Sequence, residues 1–280
     1  MDKKKLKSEI TSFKETKLKE KYKNLSFEIV LVRPEHTGNI GSIARVMKNF
    51  NFNNLVIFNP LEKINEIHSY ESQGFAMHGK DILLNAEIIS LDHQQDHIHK
   101  FKTFMEQYDL IIATTAKGKH YRNIRRMAIF PENLKLPVSK KPLNIAILFG
   151  KESKGLTNEE IEIADILLRI PTGNTYASLN LSHACGIILY EIFNKLNQVS
   201  LGRGQNPALI ADKKDKKTFY AILKKLIDKL KIRTHKKENV IFAFKNIFER
   251  ALITKKELSL IMGVFSKVDS IIKGLDLYKS

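Results

Sequence analysis

One cysteine, Cys185, occurs in the 280 residues. It excludes an internal disulfide and a cysteine-based metal cluster, and it makes a reducing cytoplasm the expected setting. Long apolar runs are missing too. None approaches the roughly 18 residues of a spanning helix, so no membrane is expected as a partner. The opening "MDKKKLKSEITSFKETKLKEKYKN" lacks the apolar h-region of a secretory signal, and its acids and shortage of arginine argue against a transit peptide. Acidic residues are scarce against basic ones: 30 Asp+Glu against 47 Lys+Arg leave a net charge of +17, which suits a polyanionic partner such as nucleic acid. No Gly-x-Ser-x-Gly elbow, His-Glu-x-x-His motif or standard dinucleotide fingerprint is found, and no internal repeat or low-complexity tract.

What is there begins with alternation. "FEIVLVRP", "NLVIFNP", "YDLIIATT", "LNIAILFG" and "ADILLRIP" read as buried strands, separated by helical stretches such as "HIHKFKTFMEQY" and "LTNEEIEIA". Such alternation predicts an α/β fold with a mostly parallel sheet covered on both faces. The lysine-rich start, residues 1–25, carries a thin apolar series at Leu6, Ile10, Phe13 and Leu18 and reads as a solvated helix. The α/β domain spans 26–197 and ends in the long helix "LNLSHACGIILYEIFNKL". Glycine, proline and charge mark a linker at 198–212, and three stretches of helical periodicity make 213–280 a small helical domain.

Ligands of open α/β sheets bind where strands end in loops, and four strand ends here carry glycine, proline or small polar residues: "RPEHTGNIG", "ATTAKGKHYR", "FGKESKG" and "IPTGNTYASLN". In "HTGNIGSIARVMKNF", Ile40, Ile43, Ala44, Met47 and Phe50 form an apolar helical stripe, while Arg45 shares the opposite face with Gly41 and Lys48. That bare cationic face is a candidate for receiving a ligand. "GKESKGLT" has the two glycines of a phosphate loop without the following Lys-Ser/Thr pair, so nucleotide hydrolysis is rejected. It reads as a ligand-contacting turn fixed by Glu152, or as a plain connection with Thr157 as helix cap. In "HQQDHIH", His93 and His97 stand one helical turn apart, but nothing nearby completes a metal site, and a solvated helix start is the expectation. Lys117, Lys119, Arg122, Arg125 and Arg126 form a basic run that reads as a phosphate-contacting RNA track or as a solvated charge run, with Lys48 assigned the same RNA-contacting role.

Taken together, "NIGSIARVMKNF", "ILFGKESKGLTNEE" and "LRIPTGNTYASLNLSHACGIILYE" resemble motifs one, two and three of the SPOUT RNA 2′-O-methyltransferases of the TrmH-like branch. The resemblance covers about Phe27 to Leu196. The tail segment "FKNIFERALITKKELSLIMG" resembles the C-terminal extension of TrmJ-type tRNA methyltransferases. The resemblance implies a SPOUT fold with a C-terminal trefoil knot, S-adenosyl-L-methionine as cofactor, no metal, and a homodimer in which the motif-one helix of one subunit faces the cofactor pocket of the other. It implies Arg45 as the motif-one catalytic residue, with Asn39, Ser178 and Asn180 at the catalytic end. It also implies a cofactor pocket of Thr114, Thr115, Phe149, Gly150, Lys151, Glu152, Ile170, Pro171, Ser178, Leu179, Asn180 and Leu181. On this reading the glycines of motif one let an RNA ribose approach the helix backbone.

The expected activity is ribose 2′-O-methylation of tRNA, at cytidine or uridine 32 of the anticodon loop. A D-loop guanosine or ribosomal RNA is the alternative target, and an RNA-binding protein that keeps the fold without turnover is the non-enzymatic alternative.

Overall fold

The computed structural model describes residues 11, 14–91, 96–116, 127–173, 175–200, 202–203, 206–230 and 234–274. Its contacts divide the chain into two units, residues 18–198 and residues 199–280 with the N-terminal segment 1–17.

The larger unit is built on a six-stranded sheet: β1 (Leu25–Val32), β2 (Asn54–Phe58), β3 (Glu87–Ile89), β4 (Leu110–Thr114), β5 (Leu143–Phe149) and β6 (Ile166–Leu168), in the order β3-β2-β1-β5-β4-β6. Every pairing in it is parallel, with Leu31 opposite Phe149 and Val32 opposite Phe58 at the C-terminal ends. Parallel strands are covered on both faces and need apolar side chains on both. Ile29, Val30, Leu31 and Val32 are all buried, as the run "IVLV" requires.

Successive residues of β1 serve opposite layers. Ile29 and Leu31 pack with Ile40, Ile43 and Met47 of α1 (Thr37–Asn49) and with Ile188 and Ile192 of the long helix Leu181–Leu196. Val30 and Val32 pack with Val56, Phe58, Phe101 and Met105, the last two from the helix His97–Met105. Between these helices lie α2 (Tyr70–Ala76) and α3 (Lys80–Leu84), so the helix His97–Met105 is α4 and Leu181–Leu196 is α5. β1 and β2 both end in a left-handed residue before proline, Arg33 at φ 53° and Asn59 at φ 50°.

Two expectations need correction. "LTNEEIEIA" forms only one helical turn, Asn158–Ile161, because Ile163 and Ala164 pack into the second core layer as the chain heads for β6. In the N-terminal segment, Thr16–Leu18 is extended rather than helical, and residues 1–10, 12 and 13 lie outside the described residues. Asn54, Leu143 and the other strand boundaries follow the apolar runs closely.

The smaller unit holds α6 (Lys213–Lys229), α7 (Thr234–Arg250) and α8 (Lys255–Gly274). Asp212 caps α6, accepting from Lys214 N and Asp215 N, and Asp215 answers to the Asp212 amide in a capping box. Phe219 is wholly buried at its centre, with the rings of Phe248 at 4.8 Å and Phe265 at 5.6 Å.

Candidate active site

Strand order reverses direction on either side of β1 and β5, and loops leaving such a point diverge and open a crevice. The loop after β5 sets the crevice wall. Gly150 admits no side chain there, since a Cβ would lie 2.2 Å from Leu156 N. Gly155, at φ 70°, closes the turn, its amide donating to Lys151 O at 2.8 Å. Left-handed backbone of that kind favours glycine. Thr157 then caps the following turn, with Glu160 completing a capping box.

The resulting cleft is lined by Thr114 and Thr115 from the end of β4, by Phe149, Gly150, Lys151 and Glu152 from β5 and its loop, and by Ile170, Ser178, Leu179 and Leu181. Thr114 Oγ1 donates to Leu148 O at 2.9 Å, and Thr115 N to Leu168 O at 2.9 Å, which ties β4 to both neighbours at the cleft floor. Pro171 and Asn180 do not line it. Pro171 is exposed, and the Asn180 side chain is committed elsewhere, as described next. Leu156, Leu168, Thr172, Ala177 and Ala184 line the cleft as well; they lie within motifs two and three but were not among the pocket residues expected.

Three segments far apart in sequence meet through one chain of hydrogen bonds. Asn180 Nδ2 donates to Asn39 Oδ1 at 3.0 Å, and Asn39 Nδ2 donates to Glu152 Oε1 at 2.8 Å. Glu152 Oε2 accepts from the Glu35 amide at 2.8 Å. At its other end, Asn180 Oδ1 accepts from Ser182 N at 2.9 Å and Ser182 Oγ at 2.7 Å, capping α5. The start of α1, the loop after β5 and the start of α5 are thereby fixed to one another. Glu35 is held in turn by the Ser153 amide and hydroxyl, at 2.7 and 2.8 Å. Those bonds, aided by Lys151, keep its carboxyl below the usual carboxylate range.

Arg45 is exposed on α1 and makes no hydrogen bond or ion pair among the described residues. Lys48, also exposed, is paired with Asp81 at 2.6 Å. The expectation of a bare face shared with Gly41 is overturned: Gly41 is buried, and a Cβ on it would lie 2.2 Å from Ser72 O and 3.0 Å from Phe75 Cβ. The missing side chain at Gly38 likewise faces the Phe75 ring at 3.2 Å. These glycines let α2 approach α1, and their place beneath α2 leaves no room there for a ribose. Gly79 repeats the device on the next turn, where a Cβ would meet Ala44 O at 2.5 Å.

His97 corrects a second expectation. It is not a solvated helix start: its Nε2 meets Glu160 Oε1 at 2.8 Å and its ring stacks on Phe101 at 6.0 Å. His93, Lys117, Lys119, Arg122, Arg125 and Arg126 lie outside the described residues. Among those described, no group of three or more His, Cys, Asp or Glu could hold a metal ion, and no helix is long and apolar enough to cross a membrane.

A family model described as SpoU rRNA methylase matches residues 26–190, more than half the chain and every segment of the cleft. The chain belongs to that family. Its similarity to individual SpoU relatives extends beyond the matched region. It is 36% identical over 247 residues to a tRNA (cytidine-2′-O-)-methyltransferase, TrmJ, of Methanocaldococcus jannaschii, covering 86% of this chain and 99% of that protein. It is 29% identical to a tRNA (cytidine/uridine-2′-O-)-methyltransferase, TrmJ, of Pectobacterium atrosepticum, covering 87% and 96%. Among solved structures, TrmJ from Z. mobilis superimposes with a TM-score of 0.53 at 19% identity, over 86% of this chain and 98% of that one, a likeness of fold.

Proposed function

We propose that this SpoU-family chain transfers a methyl group from S-adenosyl-L-methionine to the 2′-hydroxyl of a tRNA ribose, at cytidine or uridine 32 of the anticodon loop. The observation that carries the reading is the Asn180–Asn39–Glu152 chain, which joins the three motif segments at the edge of the cleft. Relatives named as tRNA cytidine or cytidine/uridine 2′-O-methyltransferases, matched over most of their length, support the substrate class.

The donor set of the cleft fits the cofactor. The loop after β5, folded closely against Gly150, offers backbone groups, hydroxyls come from Thr114, Thr115 and Ser178, and Ile170, Leu179 and Leu181 supply apolar walls for a flat base. Bound there, the cofactor supplies a methyl group on a positively charged sulfur. A guanidinium is a poor proton acceptor and a strong partner for oxyanions, so Arg45 is assigned the substrate phosphate and the negative charge that develops on the ribose oxygen, with the proton leaving to water or phosphate. Asn39 and Asn180 are positioning residues for that geometry, because their amides are spent on each other, on Glu152 and on the α5 cap. Ser178 is the polar contact at the catalytic end. Lys48 and the basic run from Lys117 to Arg126 are assigned to RNA phosphates.

We infer a homodimer as well, and a trefoil knot in residues 26–197, the methyltransferase domain, with 198–212 as linker and 213–280 as a helical domain. The dimer reading is supported by the outer face of α5, where Ile187 is 39% and Tyr190 50% exposed beside Phe50 of α1. Calorimetric titration tests the mechanism. Wild-type protein and Arg45→Ala bind S-adenosyl-L-methionine with closely similar affinity, while the variant loses methyl transfer by at least about a hundredfold, the scale of a lost transition-state charge partner. Loss of cofactor binding in Arg45→Ala contradicts the assigned role. Absence of binding heat in the wild type sinks the enzymatic reading.

A further inference from the structure

The loop after β5 has a second side. Beside the cofactor cleft, and sharing Lys151, Lys154 and Leu156 with it, is a recess completed by Arg33 and Asn158, with no acidic residue among its lining residues. Arg33 is set there by unusual backbone. It stands in the left-handed region at φ 53°, its amide donating to Phe58 O at 2.8 Å, and such conformations in non-glycine residues persist where surrounding structure holds them. Its guanidinium is used on one side only. Nη2 meets Glu160 Oε1 at 2.8 Å, while Nε is buried with no hydrogen-bond partner in the structure.

Glu160 is the counter-ion of Arg33 on the side away from the recess lining. It is wholly buried, and its carboxylate is already met by Arg33, by His97 Nε2 at 2.8 Å and by the Thr157 amide at 2.7 Å. Lys151 has one acidic neighbour, Glu35 Oε1 at 3.5 Å, and that carboxylate is itself engaged by Ser153. Lys154 is exposed and makes no ion pair among the described residues. Two cations that each have one acidic neighbour outside the lining, Lys154 without one, and the orphaned Arg33 N–H share the recess, and an oxyanion is the group that satisfies all of them.

We propose that this recess binds a phosphate group, held by Arg33, Lys151 and Lys154. Lys151 and Lys154 also line the cofactor cleft, so Arg33 is the cation that belongs to the recess alone, and binding is read directly without turnover. Free phosphate and an RNA chain phosphodiester share the required chemistry, and the experiment distinguishes them.

Inorganic phosphate is titrated into the full chain at constant ionic strength, with heat and the amide signals of Thr157 and Asn158, which line the recess and not the cleft, as readouts. Saturable binding is expected in the wild type, weakened tenfold or more in Arg33→Met and in Lys154→Met, and less in Arg33→Lys. Since Arg33 also supports Glu160, Lys154→Met carries the test should Arg33→Met fail to fold. Displacement of phosphate by a short single-stranded RNA identifies the chain phosphodiester as the ligand, and persistence beside the RNA identifies free phosphate. Non-saturable binding overturns the proposal, as does equal affinity in wild type and variants, or competition by S-adenosyl-L-methionine, which puts the ion in the cofactor cleft.

Discussion

Replacing Gly41 by alanine separates two roles for the motif-one glycines. A helix-interior glycine is worth about 1 kcal/mol less than alanine, so on propensity alone Gly41→Ala stabilises. The new Cβ, however, lies 2.2 Å from Ser72 O and 3.0 Å from Phe75 Cβ, and the nearer atom is backbone that no rotamer change removes. α2 must shift by about an ångström to reach ordinary contact distance. Overpacking of this sort costs about 1–3 kcal/mol. The shift also strains the bond from Ser72 Oγ to Thr37 O, now 3.1 Å, whose loss costs about 1 kcal/mol. Against a gain of about 1 kcal/mol, the net destabilisation is about 1–3 kcal/mol, or roughly 2–12 °C in Tm for a domain of this size. Thermal unfolding followed by circular dichroism at 222 nm measures it. An unchanged or raised Tm, together with a higher KM for RNA, refutes the packing argument and restores ribose approach as the reason for the glycine.

Further outcomes follow from the same geometry. Burial opposes ionisation of Glu160, but His97, the Thr157 amide and Arg33 outweigh it and hold the carboxyl below the usual range. Its stabilisation is therefore complete above the unfolded carboxylate pKa of about 4.3 and is lost as pH falls through the lower folded value. Glu160→Gln costs about 2–3 kcal/mol at pH 7 and flattens the acid limb of stability against pH, measured by urea unfolding from pH 7 to pH 3; an unaltered acid limb contradicts this. Glu152→Gln weakens the acceptor shared by Asn39 and the Glu35 amide, and kcat/KM for methyl transfer drops about tenfold to a hundredfold, the equivalent of a charge-assisted hydrogen bond. Tyr190→Glu places charge on the exposed face of α5 and shifts sedimentation to the monomer while Tm of the monomer is retained; a dimer that persists moves the interface elsewhere.

Much of this architecture was legible because unbroken apolar runs of four or five residues between turn signals have few alternatives in a parallel sheet. "IVLV", "LVIF" and "IAIL" became β1, β2 and β5 where they were expected. β3, only Glu87–Ile89, went unseen: three residues at a sheet edge, none of them fully buried, carry too little pattern. Motifs drew Thr114, Gly150, Glu152 and Ser178 to one cleft, since each stands at a strand end or loop that the fold brings together. What local pattern cannot carry is the neighbour across space. Gly41 looked like a gap left for a ligand because Ser72 and Phe75, which fill it, lie a whole strand and two turns downstream. His97 looked solvated for the same reason, its partner Glu160 being 63 residues away.

Methyl transfer to the ribose of one class of nucleotide is read by incubating unmodified tRNA transcripts with the protein and isotopically labelled S-adenosyl-L-methionine, followed by nuclease digestion and mass spectrometry. The proposed function requires labelled 2′-O-methylcytidine or 2′-O-methyluridine in the anticodon-loop fragment that contains position 32. Label confined to 2′-O-methylguanosine, or no label on tRNA at all, contradicts it.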